Sequence, residues 1–146
     1  MICARTDAKG VYGLDECIKR SKAFIDAGAD MIFPEGLHTV EEFKQVAEEL
    51  RKHKKDIYLL GNMTEFGKTD YIDIKTWKDM GYNCIIYPVS TLRIAMKAID
   101  GFFTELKEKG TQKDYLGHMQ SRKELYELLR YKPGDEWHYP ENDKKN

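Results

Sequence analysis

Four times along the chain a short apolar run is followed by a longer amphipathic stretch, and no other feature restricts the possible folds as much. The runs are Ile2-Cys3-Ala4, Met31-Ile32-Phe33, Ile57-Tyr58-Leu59-Leu60 and Cys84-Ile85-Ile86. Each is short and free of polar residues, the pattern of a strand covered on both faces in a parallel sheet. After the first, Leu14, Ile18, Ala23, Phe24 and Ile25 fall near one helical stripe and Gly28 supplies a stop. After the second, Pro34 closes the strand, Thr39 is placed as an N-cap, and Val40, Phe43, Val46, Ala47 and Leu50 recur at helical spacing. The third leads through a loop to a short helix in "DIKTWKDMG" that ends at Gly81. The fourth precedes a long helix whose Leu92, Met96, Ile99, Phe102, Phe103 and Leu106 are predicted to point inward. Such alternation means a parallel sheet with right-handed crossovers. Two closures satisfy it: an open doubly wound sheet of four strands, or half of an eight-stranded barrel.

At 146 residues the chain has the size of one domain. The predicted organisation is a single α/β unit over residues 1–131, with a helix from about Met119 to Leu129, followed by a polar, proline-interrupted and mobile tail over 132–146. Its 24 Lys+Arg balance 25 Asp+Glu to a net charge of -1, so no global field recruits nucleic acid or an anionic membrane, and neither is an expected partner. No apolar run is long enough to span a bilayer and the first residues lack a signal-peptide pattern. The expected location is cytoplasmic, or the mitochondrial matrix in a eukaryotic cell. Cys3, Cys17 and Cys84 are odd in number, widely spaced and without a CxxC pair, and are read as small buried hydrophobes rather than as a disulfide or a nucleophile. His38, His53, His118 and His138 lack ligand spacing, which argues against zinc.

In parallel α/β folds the chemistry gathers at the carboxyl ends of the strands. Here those ends read Arg5-Thr6-Asp7, Pro34-Glu35, Asn62-Met63-Thr64-Glu65 and Pro88-Val89-Ser90. The first turn, "RTDAKGVYGLD", carries neither GxGxxG nor GxxxxGK[ST], which weakens a nucleotide-binding reading. The four polar ends together suit a small carboxylate substrate. Arg5 offers a rigid fork of donors for a carboxylate or developing oxyanion, and Asn62 and Thr64 add neutral donors. Glu35 can accept from a substrate hydroxyl, orient Arg5, help hold a metal, or serve only as a salt bridge to Arg5. Asp7 and Glu65 are read as loop caps or partners of nearby lysines.

The segments "ARTDA…GLDECIKRSKAFIDAGADMIFPEG", "NMTEFGKT", "YPVSTLRIAMKA" and "GTQKDYLGHMQSRKELYELLRY" resemble the carboxyl-terminal half of the 2-methylisocitrate lyases, in the isocitrate lyase and phosphoenolpyruvate mutase superfamily. The resemblance runs from the first residues to about Tyr131. It implies an α/β fold that is the second half, four βα units plus a terminal helix, of a TIM-type (β/α)8 barrel. It further implies Mg2+ and retro-Claisen cleavage of 2-methylisocitrate to pyruvate and succinate. By the family pattern Arg5 binds the pyruvate moiety, while Glu35, Asn62 and Thr64 line the pocket near the succinate moiety and the outer shell of the metal. Arg5 and Glu35 are thus the expected catalytic residues.

The serine-glycine-glycine loop, the magnesium aspartates and the "KCGH" loop of the family do not occur in this sequence. The metal ligands are therefore expected in a missing amino-terminal half, with the chain entering at the fifth barrel strand and inactive alone. Expected partners are that half, or a homo-oligomer that exchanges the "MQSRKELYELLRY" helix between subunits. The alternatives are an inactive remnant or interaction module, or a related activity: isocitrate lyase, carboxyphosphonoenolpyruvate or phosphoenolpyruvate mutase, or oxaloacetate decarboxylase.

Overall fold

The structure, a computed structural model, describes residues 1–136. Strand β1 (Cys3–Thr6) leads through a one-turn helix α1 (Lys9–Tyr12) into α2 (Leu14–Asp26), then β2 (Met31–Pro34) into α3 (Val40–His53). Next come β3 (Tyr58–Asn62) with α4 (Ile74–Asp79), and β4 (Cys84–Ile86) with α5 (Ser90–Lys109). A 3-10 turn (Lys113–His118) and α6 (Arg122–Leu128) follow. The four strands form one sheet in the order β1-β2-β3-β4, and every pairing is parallel: Cys3 opposite Met31, Met31 opposite Tyr58, Leu60 opposite Cys84.

Local chemistry sets the boundaries. Thr39 accepts a hydrogen bond from the Glu42 amide at the start of α3, and Asp73 does the same for Thr76 on α4. The expected stop after α2 is present, with Gly28 at φ 102°. The predicted Met119 to Leu129 helix is shorter, because Ser121 and Glu124 form a reciprocal capping box that starts α6 at Arg122. The turn after β1, where no helix was predicted, holds α1; four residues are too few to show a period.

The chain divides into two compact units, residues 1–95 and 96 onward. In the first, α2 and α3 cover one face of the sheet. Ile18, Ile25, Ile32, Phe43, Val46, Leu50 and Leu59 are buried there, although Ala23, expected on the α2 stripe, is exposed. At the α4 end of this core Phe43, Trp77 and Tyr82 meet edge to face, with centroids 4.6, 4.9 and 5.7 Å apart. Gly61 makes that packing possible: a Cβ there would lie 2.7 Å from Trp77 Cζ3. In the second unit Tyr115 packs on Phe102 with centroids 5.5 Å apart, and its hydroxyl donates to the Ala98 carbonyl at 3.2 Å.

Alternation along the strands sends Cys3, Arg5, Met31, Phe33, Tyr58, Leu60, Asn62, Cys84 and Ile86 to the opposite face. No helix among the described residues of the first unit covers it, and this corrects two expectations. Cys17 is buried as predicted, but Cys3 is exposed and Cys84 only half-buried, since both sit on the uncovered face. Nor does α5 bury any side chain: Leu92, Met96, Ile99 and Phe103, predicted inward, are all exposed, and Phe102 and Leu106 only partly covered. Residues 132–136 of the predicted tail follow α6 without a further helix or strand, and 137–146, with His138, lie outside the described residues.

Candidate functional site

The polar strand ends converge at the carboxyl edge of the sheet. Arg5 extends from β1 across the Phe33 ring, with its guanidinium carbon 4.9 Å from the centroid. Asp7 grips it in a two-point pair, accepting from Nε at 3.0 Å and from Nη2 at 2.7 Å. That bond raises the Arg5 pKa and holds the Asp7 carboxyl below its ordinary value. Asp7 was expected to cap a loop or pair with a lysine; its partner is Arg5.

The remaining predicted residues form a single chain with Arg5. Glu35, at the end of β2, has Oε2 3.5 Å from Arg5 Nη2. The Asn62 amide at the end of β3 donates to the same Oε2 at 3.3 Å, and the Thr64 hydroxyl donates to Asn62 Oδ1 at 3.1 Å. The other Glu35 oxygen accepts from the Gly36 amide at 3.1 Å. Three strand ends are thereby joined through one carboxylate, which is about a quarter exposed. Such a row presents a cation beside neutral donors, an arrangement suited to an anionic ligand with more than one oxygen function.

Two further clusters adjoin this edge and were not found in the sequence. Glu65, expected to pair with lysine, accepts from the Ser90 hydroxyl and pairs with Arg93 at 2.6 Å, while Arg93 lies 5.3 Å from the centroid of Phe66. Ser90, then the backbone of Glu65 itself and Arg93, keep the Glu65 carboxyl low. The second cluster clasps the loops behind Glu35. Lys9 Nζ lies 3.1 Å from both His38 Nδ1 and Glu42 Oε2, and the His38 amide donates to that Oε2 at 2.7 Å. The Asp70 amide donates to the His38 carbonyl at 2.9 Å, and Thr69 Oγ1 to the Leu37 carbonyl at 2.8 Å. Burial works to raise the Glu42 pKa, but the His38 amide and Lys9 outweigh it and hold the carboxyl low. These contacts depend on residues distant in sequence and carry no motif.

Among the described residues no group of three or more His, Cys, Asp or Glu side chains can hold a metal ion. Glu35, the acceptor closest to such a role, is engaged by Arg5, Gly36 and Asn62. The residues present do not fit Mg2+ by themselves. Nor is any helix among them long and apolar enough to cross a membrane.

Residues 1–107 match the sequence profile of the phosphoenolpyruvate phosphomutase family. The chain belongs to that family. Its similarity extends over 131 residues to a probable 2-methylisocitrate lyase 1 of Corynebacterium glutamicum, at 53% identity, and to the 2-methylisocitrate lyase of Bacillus subtilis, at 50%. In each case 90% of this chain is covered but only 42% of the relative, so the chain spans under half the length of these lyases. Among solved structures it is similar to 2,3-dimethylmalate lyase, a phosphoenolpyruvate mutase/isocitrate lyase superfamily member, with a TM-score of 0.75 and 32% identity over 89% of this chain and 43% of that one. The parallel four-stranded sheet is thus a partial α/β fold of the TIM-barrel type, the eight-stranded barrel closure rather than the open doubly wound one.

Proposed function

We propose that the chain supplies the carboxyl-side half of a carbon–carbon lyase that cleaves 2-methylisocitrate, a small tricarboxylate, to pyruvate and succinate. The observation that carries this reading is the continuous row Arg5, Glu35, Asn62 and Thr64 across three strand ends. The 53% identity to a probable 2-methylisocitrate lyase supports the choice of substrate.

In a retro-Claisen cleavage the substrate hydroxyl loses its proton, its oxygen becomes the pyruvate carbonyl, and the broken carbon–carbon bond leaves its electron pair on the succinate fragment. Negative charge therefore moves from oxygen to carbon, and donors fixed beforehand lower the barrier. Asp7 and Glu35 engage Nε and Nη2 of Arg5, leaving Nη1 for the carboxylate and oxygen of the pyruvate portion. Glu35 holds Arg5 in register and accepts from the substrate hydroxyl. Asn62 retains one amide hydrogen beyond its bond to Glu35 for a carboxylate of the succinate portion, and Thr64, donating to Asn62 Oδ1, fixes the orientation of that amide. Among the described residues none forms a ligand set for magnesium. The base that takes the hydroxyl proton and the acid that protonates the carbanion belong to the part of the lyase that this chain does not span.

The test is a chimera in which residues 1–131 replace the matching segment of the Corynebacterium glutamicum relative. Pyruvate release from 2-methylisocitrate, reduced about 100-fold or more by Arg5→Ala, is the expected result. A folded chimera without activity would reject the lyase reading. It would favour an interaction module, for which the exposed Leu92, Ile94, Met96, Ile99 and Phe103 of α5 are the supporting observation.

A further inference from the structure

Behind the row of side chains that joins Arg5, Glu35, Asn62 and Thr64, a second set of contacts joins the same three loops. His38 lies at its centre. Its carbonyl accepts from the Asp70 amide at 2.9 Å, and the neighbouring Leu37 carbonyl accepts from Thr69 Oγ1 at 2.8 Å, which fastens the loop after β2 to the loop after β3. The His38 amide donates to Glu42 Oε2 at 2.7 Å, in the first turn of α3. Lys9, on α1 just beyond Arg5 and Asp7, supplies the connection to the loop after β1. Its Nζ lies 3.1 Å from both His38 Nδ1 and Glu42 Oε2.

Two details indicate that this clasp sets position more than it adds stability. The Lys9 side chain is only 12% exposed, so its ammonium has exchanged most of its water for these two partners. An ion pair so placed adds little net stability over apolar packing, but it fixes which groups lie side by side. The other detail is Gly36, directly after Glu35. It has φ 80° and lies against the α1 turn, where a Cβ would be 3.9 Å from the Gly10 amide nitrogen. Its amide donates to Glu35 Oε1 at 3.1 Å. A glycine in this conformation is a hinge, and the carboxylate beside it keeps one place only if the chain beyond is anchored. His38 is that anchor.

We propose that Lys9 is a positioning residue of the candidate site: through His38 and Glu42 it fixes residues 36–38, and thereby the place of the Glu35 carboxylate relative to Arg5 and Asn62. What Glu35 then does to a substrate rests on the lyase reading; the clasp itself does not.

The experiment has two arms. In the full chain, amide hydrogen exchange is followed by nuclear magnetic resonance. Lys9→Met is expected to speed exchange at Gly36, His38 and Asp70 about 10-fold or more, while Val46 and Leu50, buried on α3, exchange as in wild type. In the chimera described above, Lys9→Met is expected to lower kcat for pyruvate release about 10-fold with KM changed less than about two-fold, because a displaced Glu35 disturbs the reacting hydroxyl more than it disturbs carboxylate binding. Lys9→Arg, which can donate to both partners, is expected to bring kcat to within about two-fold of the unsubstituted chimera. Lys19→Met, at an 80% exposed position on α2, is expected to change neither readout. Should Lys9→Met fail to fold, His38→Leu removes one acceptor and keeps the Lys9–Glu42 pair, and the same two effects are expected. Unchanged exchange at Gly36 and Asp70 in the folded variant would overturn the proposal. So would an unchanged kcat, a loss that Lys9→Arg does not rescue, or a failure of both variants to fold, which would assign the clasp to stability alone. An unsubstituted chimera without activity would reject the lyase reading and leave the exchange arm to decide the clasp.

Discussion

Arg5 is held by two carboxylates yet half exposed, and that combination separates what it does for stability from what it does for a ligand. A pair so open to solvent contributes little to folding, so Arg5→Ala is expected to change unfolding free energy by less than about 1 kcal/mol in urea titrations. In the chimera Arg5→Lys is expected to lose most of the activity, because an ammonium keeps the charge but cannot hold Asp7 at two points and still reach a ligand. Equal activity of Arg5→Lys would remove the forked geometry from the account. Gly61 shows the reverse case, a residue that matters for packing alone. Gly61→Ala drives a methyl into the Trp77 ring and is expected to cost about 1–3 kcal/mol, with partial recovery in the Gly61→Ala/Trp77→Phe double variant. A urea midpoint equal to wild type would contradict the close approach. Arg5, Glu35, Asn62 and Thr64 could be picked out from the sequence because strand ends are where parallel sheets place polar chemistry. The roles of Asp7, Lys9, His38, Ser90 and Arg93 could not, since each depends on which loop folds back beside which.

At the scale of elements, α2 and α3 are joined across their outer sides by Glu49, which accepts from Lys22 at 2.9 Å and from Lys52 at 2.7 Å. Lys52 first, then Lys22, lower the Glu49 pKa to about 2. In the unfolded chain the value is about 4.3. A carboxyl depressed by folding contributes stability that is present in full above its unfolded pKa and is lost as pH falls through the folded one. The urea midpoint of the wild type is therefore expected to fall more steeply than that of Glu49→Gln between about pH 4.3 and pH 2, and the two curves to converge at the acid end. Parallel curves would mean that the pair contributes nothing in solution. The elements themselves were legible wherever an apolar period met a cap, as with Thr39 before α3 or Gly28 after α2. What periodicity could not give was what each face packs against. Phe103 and Met96 recur as regularly on α5 as Phe43 and Val46 do on α3, yet the first pair is exposed and the second buried.

At the scale of the molecule the same limit appears once more. The alternation of apolar runs predicts parallel strands but assumes both faces covered, and here α2 and α3 cover only one. The uncovered face carries Arg5 and Asn62 at its polar end and apolar residues below, as the inside of a barrel would. In the proposed lyase this surface meets the half that brings the remaining chemistry. The decisive measurement is pyruvate release from 2-methylisocitrate by this chain mixed, as a separate polypeptide, with the amino-terminal part of the Corynebacterium glutamicum relative in the presence of Mg2+. Activity is expected in the mixture alone, with neither component active by itself and none when the chain carries Arg5→Ala. Turnover by this chain without the second component, or an inactive mixture in which the two are shown to associate, would contradict the proposed function.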